Sequence, residues 1–413
     1  MKKFNFIEKL LEVTRIVESP TSYLEWCAYV ALAATMRHNI YYAVPSRRTK
    51  ITPNIYVTLV GDSGSTRKST PLKICNFLIK QANNTKLIEG RASIQGVLKE
   101  LAEVKTLVNE DFQTNAPMRQ MVKDAAGLLY SEELAAFIVK DPSVTAILTD
   151  IYDYKDSHDI ILKTQETLHL TKVCVTLFSA TNAAFMQDMF TKEDVYGGLV
   201  GRTFFIIEEK ARHKDLGLRD TTEEEDWLPL VTHLRKLSKI QGVVKLEEDA
   251  LEWLESWYNE TNFTLYESRT GYEHRAHTHV LKMALIFAAA EEDFNLIIQK
   301  HHCVRAVDLI TSLRKNYHKI VATAGYSNDN TRQAIKDITV ILFQCAGDEI
   351  SRDEIFRRLF GRIDVESFDK AIETLQQMGI VRLGGTSRPT YALTQKGREM
   401  IMGEISASSS KPN

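Results

Sequence analysis

Residues 51–70, ITPNIYVTLVGDSGSTRKST, decide the fold of this chain. An apolar run rich in β-branched residues ends at Gly61, and a turn rich in glycine and serine follows. Lys68 then opens a segment whose apolar residues have helical spacing. A strand, a loop of small residues and a helix in this order are typical of a P-loop, in which backbone N–H groups and a helix N-terminus hold phosphate oxygens.

The residue types of the loop suit a nucleoside triphosphate and its metal ion. Lys68 has the length to reach the β- and γ-phosphates, and the Ser69 hydroxyl can hold Mg²⁺. The cofactors predicted are therefore ATP and Mg²⁺. The candidate nucleotide-binding residues of the loop are Gly61, Gly64, Ser65, Arg67, Lys68, Ser69 and Thr70.

The loop departs from the standard G-x-x-x-x-G-K pattern in two ways. The interval from Gly61 to Lys68 is one residue longer, and Arg67 stands before the lysine, where the pattern has glycine. A serine- and glycine-rich turn without a nucleotide is the alternative interpretation. The order of strand, turn, Lys-Ser-Thr and helix favours the nucleotide.

The composition places the chain among ordinary globular proteins. Its 413 residues are enough for two or three domains, and a net charge of −2 gives no global sign of a polyanionic partner. The five cysteines are scattered, without a CxxC pair, as in reduced core thiols. The N-terminus lacks a signal-peptide core and no apolar run has the length of a membrane span, so we expect a cytoplasmic protein.

Two adjacent carboxylates follow a second buried strand. The segment GLLYSEELAAFI (127–138) begins with a short apolar run and continues into Glu132 and Glu133. This is the position of a Walker B pair, in which Glu132 would belong to the Mg²⁺ shell and Glu133 would polarise the attacking water. Acidic residues in the first turn of a helix, where they stabilise its dipole, are the alternative.

Two further polar positions border strands near the predicted loop. The run KVCVTLFSATN (172–182) is an apolar strand that ends in Ser179, Thr181 and Asn182. Asn182 could orient the lytic water in the sensor-1 role, or cap the helix that follows. Arg202 precedes another apolar strand and could be an arginine finger that reaches a neighbouring subunit, or an ordinary surface arginine.

Residues 226–325 have helical patterns and predict a helical lid. Arg275, His279 and Lys282 lie near the start of one of these helices, where a cation, in particular Arg275, could contact the nucleotide as sensor 2. The basic end of a core helix is the alternative. His301 and His302 are followed by no matching ligand pair, so we assign no metal to them.

Other basic or polar stretches have weaker signals. Arg47, Arg48 and Lys50 form a basic loop that could touch a phosphate backbone or be a solvated turn. The alternating runs around residue 165 predict a β-hairpin that carries Lys163 and Lys172. The polar stretch 107–122 predicts a loop or an insertion.

The C-terminal part predicts a winged helix. Three helical segments from residue 331 onward are followed by two short strands around a turn, which is a helix-turn-helix variant that contacts DNA or docks on proteins. Its basic residues would supply a local phosphate-binding surface. They are Arg352, Arg357, Arg358, Arg362, Arg382, Arg388 and Lys396.

Taken in order, these features resemble the phage- and prophage-encoded primase/helicase-like P-loop family, which pairs an AAA+-type ATPase with helical and winged-helix elements. The likeness lies in PNIYVTLVGDSGSTRKST, LLYSEELAAF, LFSATN, GLVGRTFF and HVLKMALIFAA, over about residues 20–325. The positions that match the family's nucleotide site are Lys68, Ser69, Glu132, Glu133, Asn182 and Arg202. The longer loop, and glutamate in place of the Walker B aspartate, put the turnover rate in doubt.

The resemblance implies an α/β, AAA+-like P-loop core with N-terminal helices, a helical lid and a winged helix. The predicted boundaries are 1–50 for the N-terminal helices, 51–210 for the core, 211–328 for the lid, 329–404 for the winged helix and 405–413 for a disordered tail. No primase module is expected, because the loop strand begins so near the N-terminus.

The resemblance also implies an ATP-dependent DNA helicase or translocase that acts in the replication of a phage or mobile element. It would work as a hexameric ring. Its partners would be single-stranded or forked DNA, copies of itself, and a primase or polymerase. A nucleotide-switched helicase loader, or a DNA-binding AAA+ adaptor without unwinding activity, is the alternative. A degenerate P-loop without turnover would leave a scaffold.

Overall fold

Two compact units, Met1–Gly325 and Tyr326–Asn413, make up the chain in the computed structural model. The structure describes residues 3–82, 84–89, 93–110, 117–134, 137–138, 143–162, 165–182, 198–214, 224–261, 271–323, 329–345, 348–359, 365–385 and 389–398.

The first unit combines helices with several β-sheets. Its helices are α1 (Phe6–Val13), α2 (Thr21–Met36), α3 (Ser69–Ala82), α4 (Ile94–Ala102), α5 (Ser143–Asp150), α6 (Leu199–Arg202), α7 (Glu224–Leu237), α8 (Glu248–Glu260), α9 (Tyr272–Ala289) and α10 (Lys300–Thr323). Its strands are β1 (Ile40–Val44), β2 (Thr49–Ile51), β3 (Tyr56–Val60), β4 (Lys86–Glu89), β5 (Lys105–Glu110), β6 (Pro117–Val122), β7 (Ala126–Ser131), β8 (Lys155–Ile161), β9 (Thr167–Thr181), β10 (Thr203–Ile207), β11 (Gly242–Val243), β12 (Lys245–Leu246) and β13 (Ile297–Ile298).

A parallel sheet lies at the centre of this unit, in the order β10–β3–β9–β7–β4, and β8 adds an antiparallel strand to β9. The strand that precedes the predicted P-loop, β3, lies between β9 and β10. Val60 at its end is in register with Thr181 of β9 and Ile207 of β10. The carboxyl ends of these strands therefore meet at one edge, which is where open α/β sheets bind their ligands.

The central strands are continuous apolar runs because the sheet is covered on both faces. Every residue of β3 and of β7 is buried. Helix α2 packs against α3 and α9, and it is buried on nearly all sides, as is the second half of α9. The helices of the predicted lid, from α7 to α10, share one hydrophobic core with the sheet.

The second unit has its own core and a different plan. Helices α11 (Asp329–Gln344), α12 (Arg352–Arg358) and α13 (Val365–Gln377) pack with strands β14 (Ile350–Ser351), β15 (Val381–Gly384) and β16 (Thr390–Leu393). The strands form an antiparallel sheet in the order β14–β16–β15.

Local signals of the sequence recur at the helix ends. The Ser93 hydroxyl accepts the N–H of Gly96 at 3.2 Å, and the Ser351 hydroxyl accepts the N–H of Glu354 at 3.3 Å, so both residues are N-caps. Gly379 follows α13 with a φ of +66°, in the left-handed region that glycine reaches without steric cost.

One predicted loop is wrong. Residues 107–122 contain most of an antiparallel hairpin, because β5 and β6 pair from Lys105 with Val122 to Glu110 with Pro117. Polar side chains on both strands hid the alternation that signals a strand. The predicted hairpin around residue 165 is confirmed, since β8 pairs with the first part of β9, although β8 begins and mostly lies before the run that was predicted as its first strand.

Some predictions fall outside the described residues: Lys163, Arg362, Arg388, the helix after Asn182 and the tail 405–413. Within the described part of the chain, no helix combines the length and the apolar character needed to cross a bilayer.

Candidate nucleotide site

The ends of three strands bring the predicted loop, the two glutamates and the polar end of β9 to one edge of the sheet. The loop follows β3, the two glutamates follow β7, and β9 lies between these strands. Neighbouring strands are about 4.8 Å apart, so the ends of β3 and β7 are separated by about 10 Å. A gap of this width leaves room for a phosphate group between the loop and the carboxylates.

Lys68 lies folded over the start of the loop. Its ammonium donates to the carbonyl oxygens of Gly61 at 2.5 Å and Asp62 at 3.1 Å. Burial lowers the pKa of Lys68, while the negative charges of Glu133 and Asp62 act in the opposite direction. The charge of Glu133, on the far side of the gap, is thus close enough to act on the Lys68 ammonium. In a complex with nucleotide, phosphate oxygens could replace the two carbonyl oxygens as acceptors of this ammonium.

Glycine is favoured at two positions of the loop, for two different physical reasons. A side chain at Gly61 would collide with the Thr66 hydroxyl, 2.6 Å from an ideal Cβ, and with the carbonyl oxygen of Glu208 at 2.8 Å. Gly64 has a φ of +76° and nothing within 4 Å of such a Cβ, so its backbone conformation alone favours glycine. The loop is therefore anchored at its start and open at its tip.

Arg67, which stands where the standard pattern has glycine, has a backbone conformation that favours glycine. Its φ is +51°, a region that non-glycine residues seldom adopt. Its guanidinium pairs with the carboxylate of Glu18, and its carbonyl oxygen accepts the Ser19 hydroxyl at 2.9 Å. The Arg67 side chain is thus turned toward the N-terminal helices, and its contribution at the loop is made by the backbone.

Helix α3 begins at Ser69, directly after the lysine. The first N–H groups of a helix have no intrahelical acceptor and point along the axis toward its N-terminus. Ser69, Thr70 and Ser65 are therefore at the positive end of the helix dipole, where an anion is stabilised. Ser69 and Thr70 are half-buried and Ser65 is exposed.

The carboxylates of Glu132 and Glu133 are held by different partners. The Tyr130 hydroxyl donates to Oε1 of Glu132 at 2.8 Å, and the Thr181 hydroxyl donates to Oε1 of Glu133 at 3.0 Å. Glu132 is half-buried and Glu133 is exposed. The second glutamate therefore reaches the open side of the gap with one oxygen fixed and the other available to a water molecule.

Thr181 is a candidate site residue to which the sequence argument gave no role, in favour of its neighbour Asn182. It is fully buried at the end of β9, and its carbonyl oxygen accepts the Gly61 N–H at 3.4 Å, so it contacts both the loop strand and Glu133. Asn182 follows directly and is half-buried at the same edge. The sequence contained a signal for Thr181, because Ser179 and Thr181 are two residues apart and therefore lie on the same face of the strand.

Ser179, the other hydroxyl of that face, has a structural role. It lies 2.9 Å from the Thr58 hydroxyl and donates to the carbonyl oxygen of Val57 at 3.2 Å, fully buried. Its polar atoms are thus satisfied inside the sheet, one pleat away from the open edge.

The donor set at this edge fits Mg²⁺. Hard divalent cations prefer oxygen ligands, and Mg²⁺ combines one or two carboxylates with water and phosphate oxygens. Ser69 and Glu132 would supply a hydroxyl and a carboxylate from the two sides of the gap. When bound, the ion would neutralise charge on the phosphates.

Arg202 lies at the opposite edge of the sheet from the loop of its own chain. It directly precedes β10, whose first residue, Thr203, pairs with Tyr56 at the start of β3. Five residues of strand separate Tyr56 from Gly61, which is about 16 Å at 3.3 Å per residue. Arg202 is 13% exposed and donates to the Gly198 carbonyl oxygen at 3.1 Å and to Asp153 at 3.4 Å.

Arg275 lies beside Arg202, away from the loop. Its guanidinium donates to the carbonyl oxygen of Gly271 at 3.4 Å, and both arginines approach the backbone of Gly198. Burial lowers the pKa of Arg275, and the positive charge of Arg202 lowers it further. The predicted sensor-2 residue is therefore not brought to the nucleotide loop of the same chain.

His279 and Lys282 fasten α9 to this amino-terminal edge. His279 is fully buried, its Nε2 donates to the carbonyl oxygen of Gly201 at 2.9 Å, and burial lowers its pKa to about 3. Lys282 donates to the backbone and side-chain oxygens of Asn54 at 2.7 and 3.0 Å, and burial lowers its pKa to about 8. Both side chains act as links between helix and sheet.

Glu291 contacts both of the adjacent histidines, His301 and His302. Oε1 of Glu291 lies 3.3 Å from Nε2 of His301 and 3.1 Å from Nε2 of His302. The backbone N–H of Gln299, however, donates to Nδ1 of His302 at 3.0 Å, so the proton of the neutral ring is on Nε2, where a metal ion would need a lone pair. The three side chains form a hydrogen-bonded clasp between α9 and α10.

The predicted basic surface of the second unit is largely paired with carboxylates of the same unit. Arg352 lies 2.6 Å from Asp369, Arg357 and Arg358 lie 3.0 and 3.1 Å from Glu354, and Arg382 lies 3.7 Å from Glu349. Lys396 donates to a backbone carbonyl oxygen. The attraction of these described residues for phosphate is correspondingly reduced.

Comparisons with known proteins give distant structural similarity only. No protein-family model and no curated protein matches the chain. The ADP form of the Aeropyrum pernix ORC2 protein is 13% identical, with 87% of this chain and 90% of that chain covered and a TM-score of 0.25. The apo C-terminal region of NrS-1 is 11% identical, with 95% and 76% covered and a TM-score of 0.35. Since both TM-scores are low, we draw functional conclusions from the site geometry.

Proposed function

We propose that this protein is an ATPase of the P-loop class, with its nucleotide site at the carboxyl edge of the central sheet. The observation that carries the proposal is the convergence of Lys68, Glu133 and Thr181 from three adjacent strand ends. A cation for the phosphates and a carboxylate for the attacking water face each other across the gap.

The reaction is the transfer of the γ-phosphoryl group from ATP to water, which yields ADP and phosphate. Lys68 and the first N–H groups of α3 would hold the β- and γ-phosphates, and Ser69 and Glu132 would hold Mg²⁺. Glu133 would accept a hydrogen bond from the attacking water and so orient it. The Thr181 hydroxyl would hold the Glu133 carboxylate in place, and Asn182 would contact the same water.

The position of Arg202 supports an oligomer. The strand end beside Arg202 is about 16 Å from the loop of the same chain, and the Arg202 guanidinium is bonded to Gly198 and Asp153, so it does not reach a γ-phosphate at that loop. In a ring, the same residue would be presented to the nucleotide of the adjacent subunit, and Arg275 beside it could join the same interface. We therefore propose a homo-oligomer, a hexamer by family resemblance, with nucleotides at its subunit boundaries.

The proposed substrate of this motor is DNA. By resemblance, the chain would be a helicase or translocase in the replication of a phage or mobile element, with a winged helix in the second unit and a primase or polymerase as partner. The second candidate is a nucleotide-switched loader or an AAA+ adaptor that does not unwind DNA. The carboxylate-paired arginines of the second unit favour a loader in which that unit docks on a protein.

Hydrolysis by the purified protein tests the proposal. Lys68→Ala should abolish ATP hydrolysis, because the phosphates lose their cation, whereas Lys80→Ala, an exposed lysine in the last turn of α3, should not change it. Equal rates in both variants would show that the loop is not a nucleotide site. If the parent protein hydrolyses ATP, strand displacement on a forked substrate separates the helicase from the loader.

A further inference from the structure

An exposed cationic turn lies next to the amino-terminal edge of the sheet. Residues 45–48 connect β1 to β2 and are all exposed, and they include Arg47 and Arg48. Neither guanidinium forms a salt bridge or side-chain hydrogen bond with another described residue, in contrast to the paired arginines of the second unit. Their charge is therefore not neutralised locally.

Lys50, which follows the turn, is fixed between two aromatic rings. Its ammonium lies 4.7 Å from the ring centre of Tyr41 on β1 and 4.8 Å from that of Tyr154, which precedes β8. Both distances are within the range of cation–π attraction. The Tyr154 ring is itself stacked on His38, with 6.3 Å between centres. Lys50 keeps 33% of its side chain exposed, so its charge is held in place at the surface.

A fourth cation completes this face. Lys172 lies on β9 between the pairs that Val173 and Thr171 form with β8, which begins directly after Tyr154. The pKa of His38 is lowered to about 4, mainly by burial and further by the charges of Arg37, Lys172 and Lys50. Lys172 and Arg48 both have positive φ values, +51° and +49°. Backbone conformations of this kind are costly for residues with side chains and are found more often at functional sites.

The balance of charge on the face is positive. Asp156 is the carboxylate that faces Lys50, at 3.7 Å, and its own oxygen also accepts the Tyr154 hydroxyl at 2.6 Å. The other carboxylate near this face, Asp124, is paired with Arg37 beside His38. The Cα atoms of Arg48 and Lys50, two residues apart, are at most about 7 Å from each other, so both side chains can contact neighbouring phosphates of a flexible chain.

We propose that this surface, the Lys50 face (Arg47, Arg48, Lys50 and Lys172 with Tyr41 and Tyr154), binds the phosphate backbone of single-stranded DNA. The partly exposed rings of Tyr41 and Tyr154 lie beside the cations, where the unstacked bases of a single strand could contact them, so a single strand is favoured over a duplex. That the bound strand is DNA rests on the proposed function; that the face binds a phosphate backbone does not.

The experiment measures binding of fluorescent oligothymidine by the full-length protein, without nucleotide, over a series of salt concentrations. Arg47→Ala with Arg48→Ala should weaken binding about tenfold, since hydrogen bonds to charged groups are lost, and should make the slope of log affinity against log salt shallower by about 1.4 for two single-strand phosphate contacts. Lys80→Ala with Lys300→Ala, two exposed lysines elsewhere, is the matched control.

A second pair of variants tests how Lys50 is positioned. Tyr154→Leu should weaken binding because the ammonium loses one of its two rings. Tyr154→Phe retains the ring and should bind like the parent protein, although the hydroxyl bond to Asp156 is lost. Equal losses in both variants would show that Tyr154 acts through the fold or its hydroxyl.

The outcomes are separable from the fate of the proposed ATPase. An unchanged salt slope in the double arginine variant, an equal loss in the lysine control, or a parent protein that does not bind oligothymidine would overturn the proposal. A parent that prefers duplex of the same length would overturn the assignment to a single strand. Basal ATP hydrolysis without DNA, measured on the same preparations, reports on the nucleotide site independently.

Discussion

Replacing Thr181 by valine tests the catalytic geometry at a single atom. Valine has nearly the shape of threonine but no hydroxyl, so the substitution removes the 3.0 Å hydrogen bond to Glu133 and leaves the buried volume filled. Hydrogen bonds to charged groups contribute about 1.5–3 kcal/mol. Glu133 is solvent-exposed, so water can replace part of this bond and the lower end of the range applies.

A loss at the lower end corresponds to a kcat reduced about tenfold, because 1.4 kcal/mol is a factor of ten. Since Thr181 does not contact the phosphates in the proposed site, KM for ATP should change little. The assay is steady-state ATP hydrolysis, with nucleotide binding measured separately. Thr181→Ser retains the hydroxyl and should keep most of the activity.

The double variant with Glu133→Gln decides whether the hydroxyl acts through the carboxylate. If it does, adding Thr181→Val to Glu133→Gln should cause little further loss, so the two effects will not add. Additive losses, or equal losses in Thr181→Val and Thr181→Ser, would refute the reasoning and leave Thr181 with a role in packing.

Three further predictions follow from the positions of single side chains. Glu133→Gln should still bind ATP but hydrolyse it far more slowly, as measured by nucleotide binding and phosphate release; loss of binding would make Glu133 structural. Arg202→Ala should bind ATP and hydrolyse it slowly, and mixing it with Lys68→Ala protein should partly restore hydrolysis, because some interfaces then contain both residues; a mixture that assembles without activity would contradict the ring. Because burial lowers the pKa of His279 to about 3, its neutral form stabilises the fold above the ordinary histidine pKa, and this stability is lost as the pH falls. Between pH 7 and pH 5 the loss is about 2 kcal/mol. His279→Gln should show a smaller decrease in unfolding free energy over that range by urea titration, and an equal decrease would assign the acid sensitivity to other groups.

Features that depend on neighbours in the chain were predictable from the sequence. The strand, loop and helix around Lys68 were predicted in order, and the structure has β3, the loop and α3 there. The helix caps Ser93 and Ser351 are local in the same way, because each is a contact between residues three apart. The hairpin of 105–122 was missed, since polar residues on a two-stranded ribbon show no alternation between a buried and an exposed face.

Features that depend on strand order were decided by the tertiary structure. No local pattern states that β9 lies between β3 and β7, because crossover connections of parallel strands determine the neighbours. That order selects Thr181 as the partner of Glu133, and it puts Arg202 at the edge opposite to the loop.

The side-chain partners of long-range clusters were likewise outside the reach of sequence reasoning. Arg67 looked like a misplaced residue in a glycine pattern, and only its φ of +51° and its contact with Glu18 show how an arginine is accommodated there. Lys50 looked like one cation of a solvated turn until Tyr154, more than a hundred residues away, was found against it. The sequence by itself therefore determined the chemistry available at each position, and the packing of distant segments decided which of these groups meet.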